Sequence, residues 1–134
     1  MILIDTNIFV DIWTDDPQWS DWSSTALAKV ATSSRLAINP IIYAELSIGF
    51  ELEQDLDDTL RDADVRCLAL PCRAAWPAAR AFTEYRARGG SRQTPLPDFF
   101  IGAHAEAEGL NLLTRDVSRY RTYFPSVELV APSH

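Results

Sequence analysis

The chain has 134 residues, 47% of them hydrophobic, and a formal net charge of −7. This length fits a single domain over residues 1–134 and leaves little room for a second core. No apolar stretch approaches the roughly 20 residues that span a bilayer, and the start lacks a basic region and a cleavage site, so a cytosolic protein is expected. The acidic balance argues against broad electrostatic attraction to nucleic acid.

The first residues predict a buried strand that ends at a carboxylate. Apolar residues fill positions 1–4 without a break, which is typical of a strand buried on both faces in a parallel sheet. Asp5 follows directly, at the edge where open α/β sheets place their ligands. Asn7 is then expected to cap a helix over residues 8–13, because its side-chain oxygen can accept a bond from an amide of the first turn.

Short strand and helix patterns alternate along the rest of the chain. Asp15-Asp16-Pro17 predicts a turn, and Asn39-Pro40 predicts a passage from strand to helix with Asn39 as the cap. The predicted strands cover residues 35–39, 65–70, 111–114 and 127–130, the helices cover residues 20–33, 40–49, 51–64, 73–88, 98–108 and 116–123, and a rigid loop covers residues 93–97. Because such alternation requires crossover connections, we expect a three-layer α/β/α sandwich around a parallel sheet.

An aromatic stripe on the second predicted helix has two interpretations. Trp19, Trp22, Ala26 and Val30 recur at three- and four-residue spacing, which favours a face packed on the core. Alternatively, Trp13, Trp19 and Trp22 help to form an exposed apolar groove for a partner, since aromatic residues often anchor interfaces.

Charged residues are divided unevenly between the two halves of the chain. Residues 1–64 hold 13 acidic and 3 basic residues, whereas residues 65–134 hold 6 acidic residues and 9 arginines. The acidic first half is compatible with a basic protein partner, and the arginine-rich second half is compatible with phosphate contacts.

Cysteine and histidine form no redox or metal-binding motif. Cys67 and Cys72 are not spaced as C-x-x-C and are expected to remain thiols that fill small, partly buried spaces. His104 lies about 240° around its predicted helix from Asp98, so it is expected to face away from that carboxylate.

Four carboxylates are expected at one edge of the sheet. In crossover units the strands end, and the connecting helices begin, along the same edge. The four acids are Asp5 at the end of the first strand, Glu45 in the second turn of the helix after the second strand, Asp98 in the first turn of the helix before the fourth strand, and Asp116 just after the fourth strand. Taken alone, each also fits an ordinary role as a helix cap, a first-turn charge or a solvated helix residue.

Four ionised carboxylates in one pocket would repel each other strongly. At about 5 Å and an effective dielectric constant near 20, each ionised pair costs on the order of 3 kcal/mol, so all the pairs together exceed typical domain stability. The groups must therefore protonate, separate or hold divalent cations. Carboxylates without a histidine or thiol favour Mg²⁺ or Mn²⁺, and one or two such ions support phosphodiester hydrolysis.

The acids and the residues that flank them form segments in a fixed order. These segments are Ile2-Leu3-Ile4-Asp5-Thr6-Asn7, Pro40-x-x-x-x-Glu45, Leu96-Pro97-Asp98-x-x-Ile101-x-x-His104-Ala105 and Leu112-Leu113-Thr114-Arg115-Asp116, continued by Arg119-Tyr120-Arg121-Thr122-Tyr123-Phe124-Pro125. Each is weakly specific alone. Together they span essentially the whole chain and resemble the PIN-domain nucleases, most closely the VapC-type toxins of bacterial toxin–antitoxin pairs.

The resemblance implies a parallel five-stranded sheet with a Mg²⁺- or Mn²⁺-dependent endoribonuclease site. The side chains that would bind metal and position the attacking water are Asp5, Glu45, Asp98 and Asp116, and those that would orient these carboxylates are Thr114 and, less directly, Thr6 or Asn7. None of the four acids is missing.

Partners are implied by the resemblance as well. Members of this family commonly form homodimers and are inhibited by a small antitoxin, whose C-terminal segment lies across the early helices and can push a basic side chain towards the acids. The acidic first half and the tryptophan stripe suit such a partner, as does the stripe formed by Leu52, Leu56 and Leu60. The candidate contacts to RNA phosphates are Arg86, Arg88, Arg92, Arg115 and Arg119.

Three other interpretations stay open. A housekeeping PIN-domain nuclease for RNA maturation or decay would need no antitoxin, although the small size counts against it. A phosphate-transfer domain with an aspartyl nucleophile would want a second acid close after Asp5 and a lysine near the later strands, whereas the chain has Thr6-Asn7 and only Lys29. A non-catalytic binding module is the third. If it arrests growth on expression, it would still do so after Asp5→Asn or Asp98→Asn, whereas a nuclease would not.

Overall fold

The computed structural model describes residues 1–90 and 96–133. Its strands are β1 (Ile2–Ile4), β2 (Leu36–Ile38), β3 (Val65–Cys67), β4 (Asn111–Leu113) and β5 (Leu129–Val130). Its α-helices are α1 (Thr6–Trp13), α2 (Ser20–Ala31), α3 (Pro40–Ser47), α4 (Glu53–Asp62), α5 (Ala75–Ala87), α6 (Leu96–Glu108) and α7 (Val117–Tyr123), with a 3₁₀ turn at Cys72–Ala74 before α5. The strands after β1 are each shorter than the sequence pattern predicts.

The five strands form one parallel sheet in the order β3-β2-β1-β4-β5. Ile2 of β1 is in register with Leu36 on one side and Asn111 on the other. The chain order therefore reverses at β1, which makes the β1–β4 boundary the place where α/β sheets bind ligands. The predicted α/β fold with a parallel five-stranded sheet is confirmed, and the full burial of β1 and β2 fits strands covered by helices on both faces.

Helix α6 packs closely because its buried face contains small residues. Gly102, Ala103 and Ala105 are buried there, and a Cβ atom at Gly102 would lie 2.3 Å from the ring of Phe124. Phe124, which caps the C-terminus of α7, is itself 2% exposed, so its ring has little room to move. This contact sets α6 and α7 at a fixed separation, and both helices carry residues of the site described below.

His104 joins α6 to the start of α3. The His104 side chain is 1% exposed, and its Nδ1 lies 3.0 Å from the side-chain amide nitrogen, Nδ2, of Asn39. The Asn39 side-chain oxygen accepts from the Ile42 amide at 2.9 Å, so Asn39 caps α3 as predicted. Burial lowers the pKa of His104 below its ordinary value. The residue faces away from Asp98, as the helical spacing predicts, and it supports the helix that carries Glu45.

The predicted cap of the first helix was wrong. Helix α1 begins at Thr6, and its N-cap is Asp5, whose carboxylate accepts from the Thr6 amide at 2.8 Å. Asn7 lies inside the first turn instead. Asp and Asn cap equally well, and Asp5 takes the position because the chain turns into the helix directly after β1.

Burial differs from prediction at the cysteines, and it agrees with the core interpretation at three residues of the tryptophan stripe. Cys67 and Cys72 are free thiols, as predicted, but both are exposed, and for Cys67 the reason is that β3 is an edge strand. Trp22 is partly buried against the core, as the core interpretation requires, with Ala26 and Val30. Trp19 lies against the guanidinium of Arg115, 5.4 Å from ring centroid to Cζ.

The start of α6 lies close to the boundary of the described chain. Residues 93–95 of the predicted rigid loop lie outside the described residues, and Leu96 and Pro97 form the first turn of α6. Across residues 1–90 and 96–133, no helix combines the length and the apolar character that crossing a membrane requires.

Candidate active site

The four predicted acids line one cavity at the C-terminal edge of the sheet. Asp5 follows β1, Glu45 lies on α3, Asp98 lies in the first turn of α6, and Asp116 precedes α7. The cavity has a volume of about 260 Å³, and its other lining residues are Thr6, Asn7, Val10, Arg115 and Tyr120. The sheet brings the acids together because β1 and β4 are neighbours and the helices begin where the strands end. Their catalytic and metal-binding roles stay predictions.

Asp5 is a buried carboxylate surrounded by hydrogen-bond donors. It is 6% exposed, and its Oδ1 accepts from the backbone amide of Thr6. Its Oδ2 accepts from the hydroxyls of Thr114 at 2.8 Å and Tyr120 at 3.1 Å, and from the side-chain amide of Asn7 at 3.4 Å. These contacts fix the orientation of the carboxylate at the bottom of the cavity.

Burial raises the pKa of Asp5 from its ordinary value of 3.8 to about 6, because the ionised form loses its hydration. The hydroxyls of Thr114 and Tyr120 oppose this change by donating to the carboxylate, whereas the negative charge of Asp98 adds to it. Burial also raises the pKa of the Tyr120 phenol well above its usual range, so Tyr120 stays protonated and donates to Asp5 at neutral pH. A positive charge beside Asp5 would favour its ionised form.

Two threonines position the other acidic segments. The hydroxyl of Thr6 donates to Glu45 Oε1 at 2.7 Å. The hydroxyl of Thr114, which is fully buried, donates to Asp5 and accepts from the backbone amide of Asp116 at 3.0 Å. One side chain thus fixes the relative positions of β1 and the β4–α7 connection. The carboxylate of Asp116 is exposed and makes no capping bond to α7.

Asp98 forms an ion pair with Arg119 of α7. The two side chains are 23% and 22% exposed, so the pair is largely shielded from water. Burial raises the pKa of Asp98, the guanidinium lowers it, and the charges of Glu45 and Asp116 raise it again. The guanidinium is therefore the positive charge that balances this part of the cavity.

The donor set of the cavity fits a hard divalent cation. Within the described residues, no three Asp, Glu, His or Cys side chains lie close enough together to form a ready-made metal site. Asp98 is paired with Arg119, and Glu45 accepts from Thr6. The cavity nevertheless contains four carboxylates supported by hydroxyls, and burial, together with repulsion between neighbouring carboxylates, raises the pKa of both Asp5 and Asp98. Oxygen ligands with excess negative charge are the environment that Mg²⁺ or Mn²⁺ prefers.

Arg115 is held by a buried aspartate that the sequence did not single out. Its Nε and Nη2 donate to Asp11 at 2.7 and 2.9 Å, and Asp11 is 1% exposed. The hydroxyl of Ser23 donates to the same carboxylate at 2.8 Å. Asp11 lies four residues after Asn7, on the same face of α1, and this spacing is the signal by which the sequence reveals it.

The other predicted RNA contacts lie in different environments. Arg88 is exposed and pairs with Glu84 at 2.6 Å, and exposed Arg86 lies over the ring of Phe82. Arg92 lies outside the described residues. Their contacts with RNA stay predictions.

Tyr120 lines the cavity but was not among the predicted site residues. It is 2% exposed and contributes its hydroxyl to Asp5. It follows Asp116 by four residues, so the two share a helix face, and a tyrosine at that spacing is the signal that was available.

An apolar groove adjoins the acidic cavity. It has a volume of about 370 Å³ and is lined by Val10, Trp13, Thr14, Glu45, Leu46, Ile48, Gly49 and Phe50. Val10, Trp13 and Ile48 are 41%, 39% and 86% exposed. Since Val10 and Glu45 line both spaces, the groove leads directly to the acids.

Comparison with known proteins agrees with this geometry. The PIN domain family model matches residues 2–125. No curated protein matches the chain.

Similar folds occur in solved structures of toxin–antitoxin proteins. A chain of VapBC2 from Rickettsia felis, bound to a DNA fragment from its promoter, has a TM-score of 0.72 and 22% identity, with 99% of this chain and 100% of that chain covered. A chain of VapBC-1 from nontypeable Haemophilus influenzae has a TM-score of 0.72 and 19% identity, with 98% of each chain covered. A chain of a toxin–antitoxin complex from Klebsiella pneumoniae has a TM-score of 0.70 and 23% identity, with 100% and 99% covered. At these identities the likeness shows the fold alone.

Proposed function

The chain belongs to the PIN domain family, whose members are nucleases, and from this premise we propose that it is a VapC-type toxin that hydrolyses RNA with Mg²⁺ or Mn²⁺. The observation that carries the proposal is the convergence of Asp5, Glu45, Asp98 and Asp116 on one cavity. They come from four separate segments, and the buried Asp5 has a pKa raised to about 6. An arrangement that is unfavourable for the empty protein is expected where a bound cation offsets it.

The chain's own residues hold the carboxylates in place for this reaction. Thr114 and Tyr120 orient Asp5, and Thr6 orients Glu45. Asp116 is exposed at the mouth of the cavity, where it can accept a proton from an attacking water. The carboxylates of Asp5 and Glu45, which these hydrogen bonds hold, need little reorganisation when charge develops.

A divalent cation held by these acids would supply Lewis acidity for the attack of water on phosphorus. In the overall reaction a bond forms between the water oxygen and phosphorus, and the bond from phosphorus to the leaving ribose oxygen breaks. One proton of the water passes to an acceptor in the cavity, and the leaving oxygen gains a proton. The products are a phosphate monoester and a hydroxyl end.

We expect Asp116→Asn to reduce RNA cleavage by at least about 100-fold, a typical loss when one charged group of a site is removed. The assay uses the purified chain with end-labelled RNA, in Mn²⁺ or Mg²⁺ and in EDTA. Asp62→Asn is the matched control, because Asp62 ends α4 outside the cavity. Equal cleavage in EDTA, or by Asp116→Asn and the unchanged chain, would rule out the proposed activity.

We also propose that an antitoxin segment binds in the apolar groove, and that the chain forms the homodimer that the family resemblance implies. The groove provides exposed apolar side chains, and it runs into the acidic cavity through Val10 and Glu45. The acidic first half of the chain suits a segment with basic residues. The C-terminal part of a small antitoxin, apolar with a basic end, has the chemistry that this surface requires.

The groove makes a testable prediction about antitoxin binding. Ile48→Glu should weaken binding of the neighbouring gene's product by about tenfold or more, because it places a charge among apolar contacts. Trp76→Glu is the control, since Trp76 is 70% exposed and lies outside the groove. Calorimetric titration measures both affinities, and equal affinities for the two variants would exclude the groove as the binding site.

A further inference from the structure

Arg119 brings a positive charge to the edge of the acidic cavity. Its Nη1 donates to Asp98 Oδ2, and its guanidinium carbon lies 5.9 Å from the ring centroid of Tyr85 and 5.8 Å from that of Phe99. The aromatic faces and the carboxylate together hold the guanidinium in a defined position. Asp98 is one of the four acids that the proposed function assigns to metal binding.

The guanidinium and a metal ion compete for the same carboxylate. Asp98 accepts a charge-assisted hydrogen bond from Arg119, and a cation that bound the same carboxylate would weaken or replace that bond. Two positive charges at one carboxylate also repel each other, so a bound ion would favour movement of the guanidinium away from Asp98. The repulsion that Glu45 and Asp116 exert on Asp98 keeps one or the other positive charge favourable at this position.

Arg119 differs in this respect from Arg115, the other arginine close to the acids. Arg115 makes two bonds to Asp11, which is 1% exposed and would be left as a buried unpaired charge if Arg115 moved away. Asp98 would instead be left beside the incoming cation. Of these two arginines, Arg119 is the one whose release leaves no unpaired buried charge.

We propose that Arg119 is a built-in competitor of the metal ion, which holds Asp98 in the metal-free chain and binds a phosphate of the RNA once the ion has released it. The inference rests on the proposed function. A released guanidinium on α7 stays beside the cavity, and its planar donors match the oxygens of a phosphate. Loading with metal thereby frees a positive charge that draws the RNA backbone to the acids, in a chain whose net charge is −7.

Two opposite effects of Arg119→Met distinguish this role from that of an ordinary ion pair. Mn²⁺ should bind the metal-free variant about tenfold more tightly than the unchanged chain, the order expected when one charge-assisted bond no longer competes. At saturating Mn²⁺ the same variant should have a KM for RNA about tenfold higher, because a phosphate contact is lost. Arg119→Lys keeps the positive charge but lacks the planar guanidinium. Its Mn²⁺ affinity and its KM should lie between those of the unchanged chain and Arg119→Met.

Calorimetry with Mn²⁺ alone, without RNA, tests the first effect. Arg121→Met is the matched control, since Arg121 is an exposed residue of the same helix outside the cavity, and its Mn²⁺ affinity should equal that of the unchanged chain. Equal Mn²⁺ affinities for Arg119→Met, Arg119→Lys and Arg121→Met would overturn the competition. An unchanged KM in Arg119→Met would overturn the phosphate contact.

A measurement on the unchanged chain does not depend on how the variants fold. Phenylglyoxal modifies accessible guanidinium groups, and peptide mass spectrometry separates the signals of Arg119 and Arg121. Adding Mn²⁺ should accelerate modification of Arg119 at least severalfold and leave Arg121 unchanged. If Mn²⁺ binds but the Arg119 rate stays constant, the release of Arg119 is refuted while the proposed nuclease stands. If Mn²⁺ binds to neither the unchanged chain nor Arg119→Met, both proposals fail.

Discussion

Asp5→Asn should abolish RNA cleavage and, at pH 7.5, leave the metal-free chain more stable than the unchanged chain. Loss of activity of at least about 100-fold is expected because the proposed site loses the most buried of its four negative charges. The gain in stability is expected because the buried carboxylate is unfavourable in the absence of a cation. An ordinary structural aspartate would have the opposite effect on stability.

The pH dependence of this gain follows from the raised pKa of Asp5. The folded chain holds a proton on Asp5 up to a pKa of about 6, whereas the unfolded chain loses it near 3.8. Between these values the folded state binds more protons, so the Asp5 contribution to stability falls as pH rises. Above about pH 6 the full loss is present, on the order of 3 kcal/mol. Asparagine does not ionise and removes this pH-dependent loss.

Urea unfolding of the metal-free protein at pH 4 and pH 7.5 measures the effect. The stability difference between Asp5→Asn and the unchanged chain should grow between the two pH values. Asp62→Asn is the control, because Asp62 is exposed on α4 and its replacement should leave the difference constant. A destabilisation by Asp5→Asn at pH 7.5 would mean that the Asp5 carboxylate is satisfied without a cation.

The placement of the four acids was within reach of sequence analysis because topology determines it. Asp5 and Asp116 each follow a short apolar strand, and the ends of neighbouring parallel strands must lie at the same edge. Glu45 and Asp98 lie in the first two turns of helices that begin at this edge. These statements require only the order of the elements, and the alternating pattern reveals that order.

The ion pairs around the cavity were not predictable in the same way. Asp11 and Arg115 are 104 positions apart, and Asp98 and Arg119 are 21 apart. Their pairing depends on how α1, α6 and α7 are rotated and packed, which a charge pattern along the chain does not contain. The prediction of the α1 cap was wrong for a local reason, since Asp5 and Asn7 are both good capping residues and lie two residues apart.

The buried ion pair between Asp11 and Arg115 should contribute strongly to the stability of the fold. We expect Arg115→Met to destabilise the fold by about 3 kcal/mol, because among the described residues only the Ser23 hydroxyl would still donate to the buried Asp11 carboxylate. Asp11→Asn should cost less, about 1 to 2 kcal/mol, because the Arg115 side chain is 31% exposed and its charge can turn to water.

The double variant Asp11→Asn with Arg115→Met separates a buried pair from a surface pair. Asparagine is uncharged, so the double variant contains no buried unpaired charge and should be more stable than Arg115→Met alone. The effects of the two changes are therefore strongly non-additive. Urea unfolding of the four proteins gives the coupling energy. A surface ion pair would instead make Arg115→Met no worse than Asp11→Asn, with a coupling below about 1 kcal/mol. Since Arg115 lies between Thr114 and Asp116, a strong coupling would also mean that this buried pair anchors the β4–α7 connection on which the acidic cavity depends.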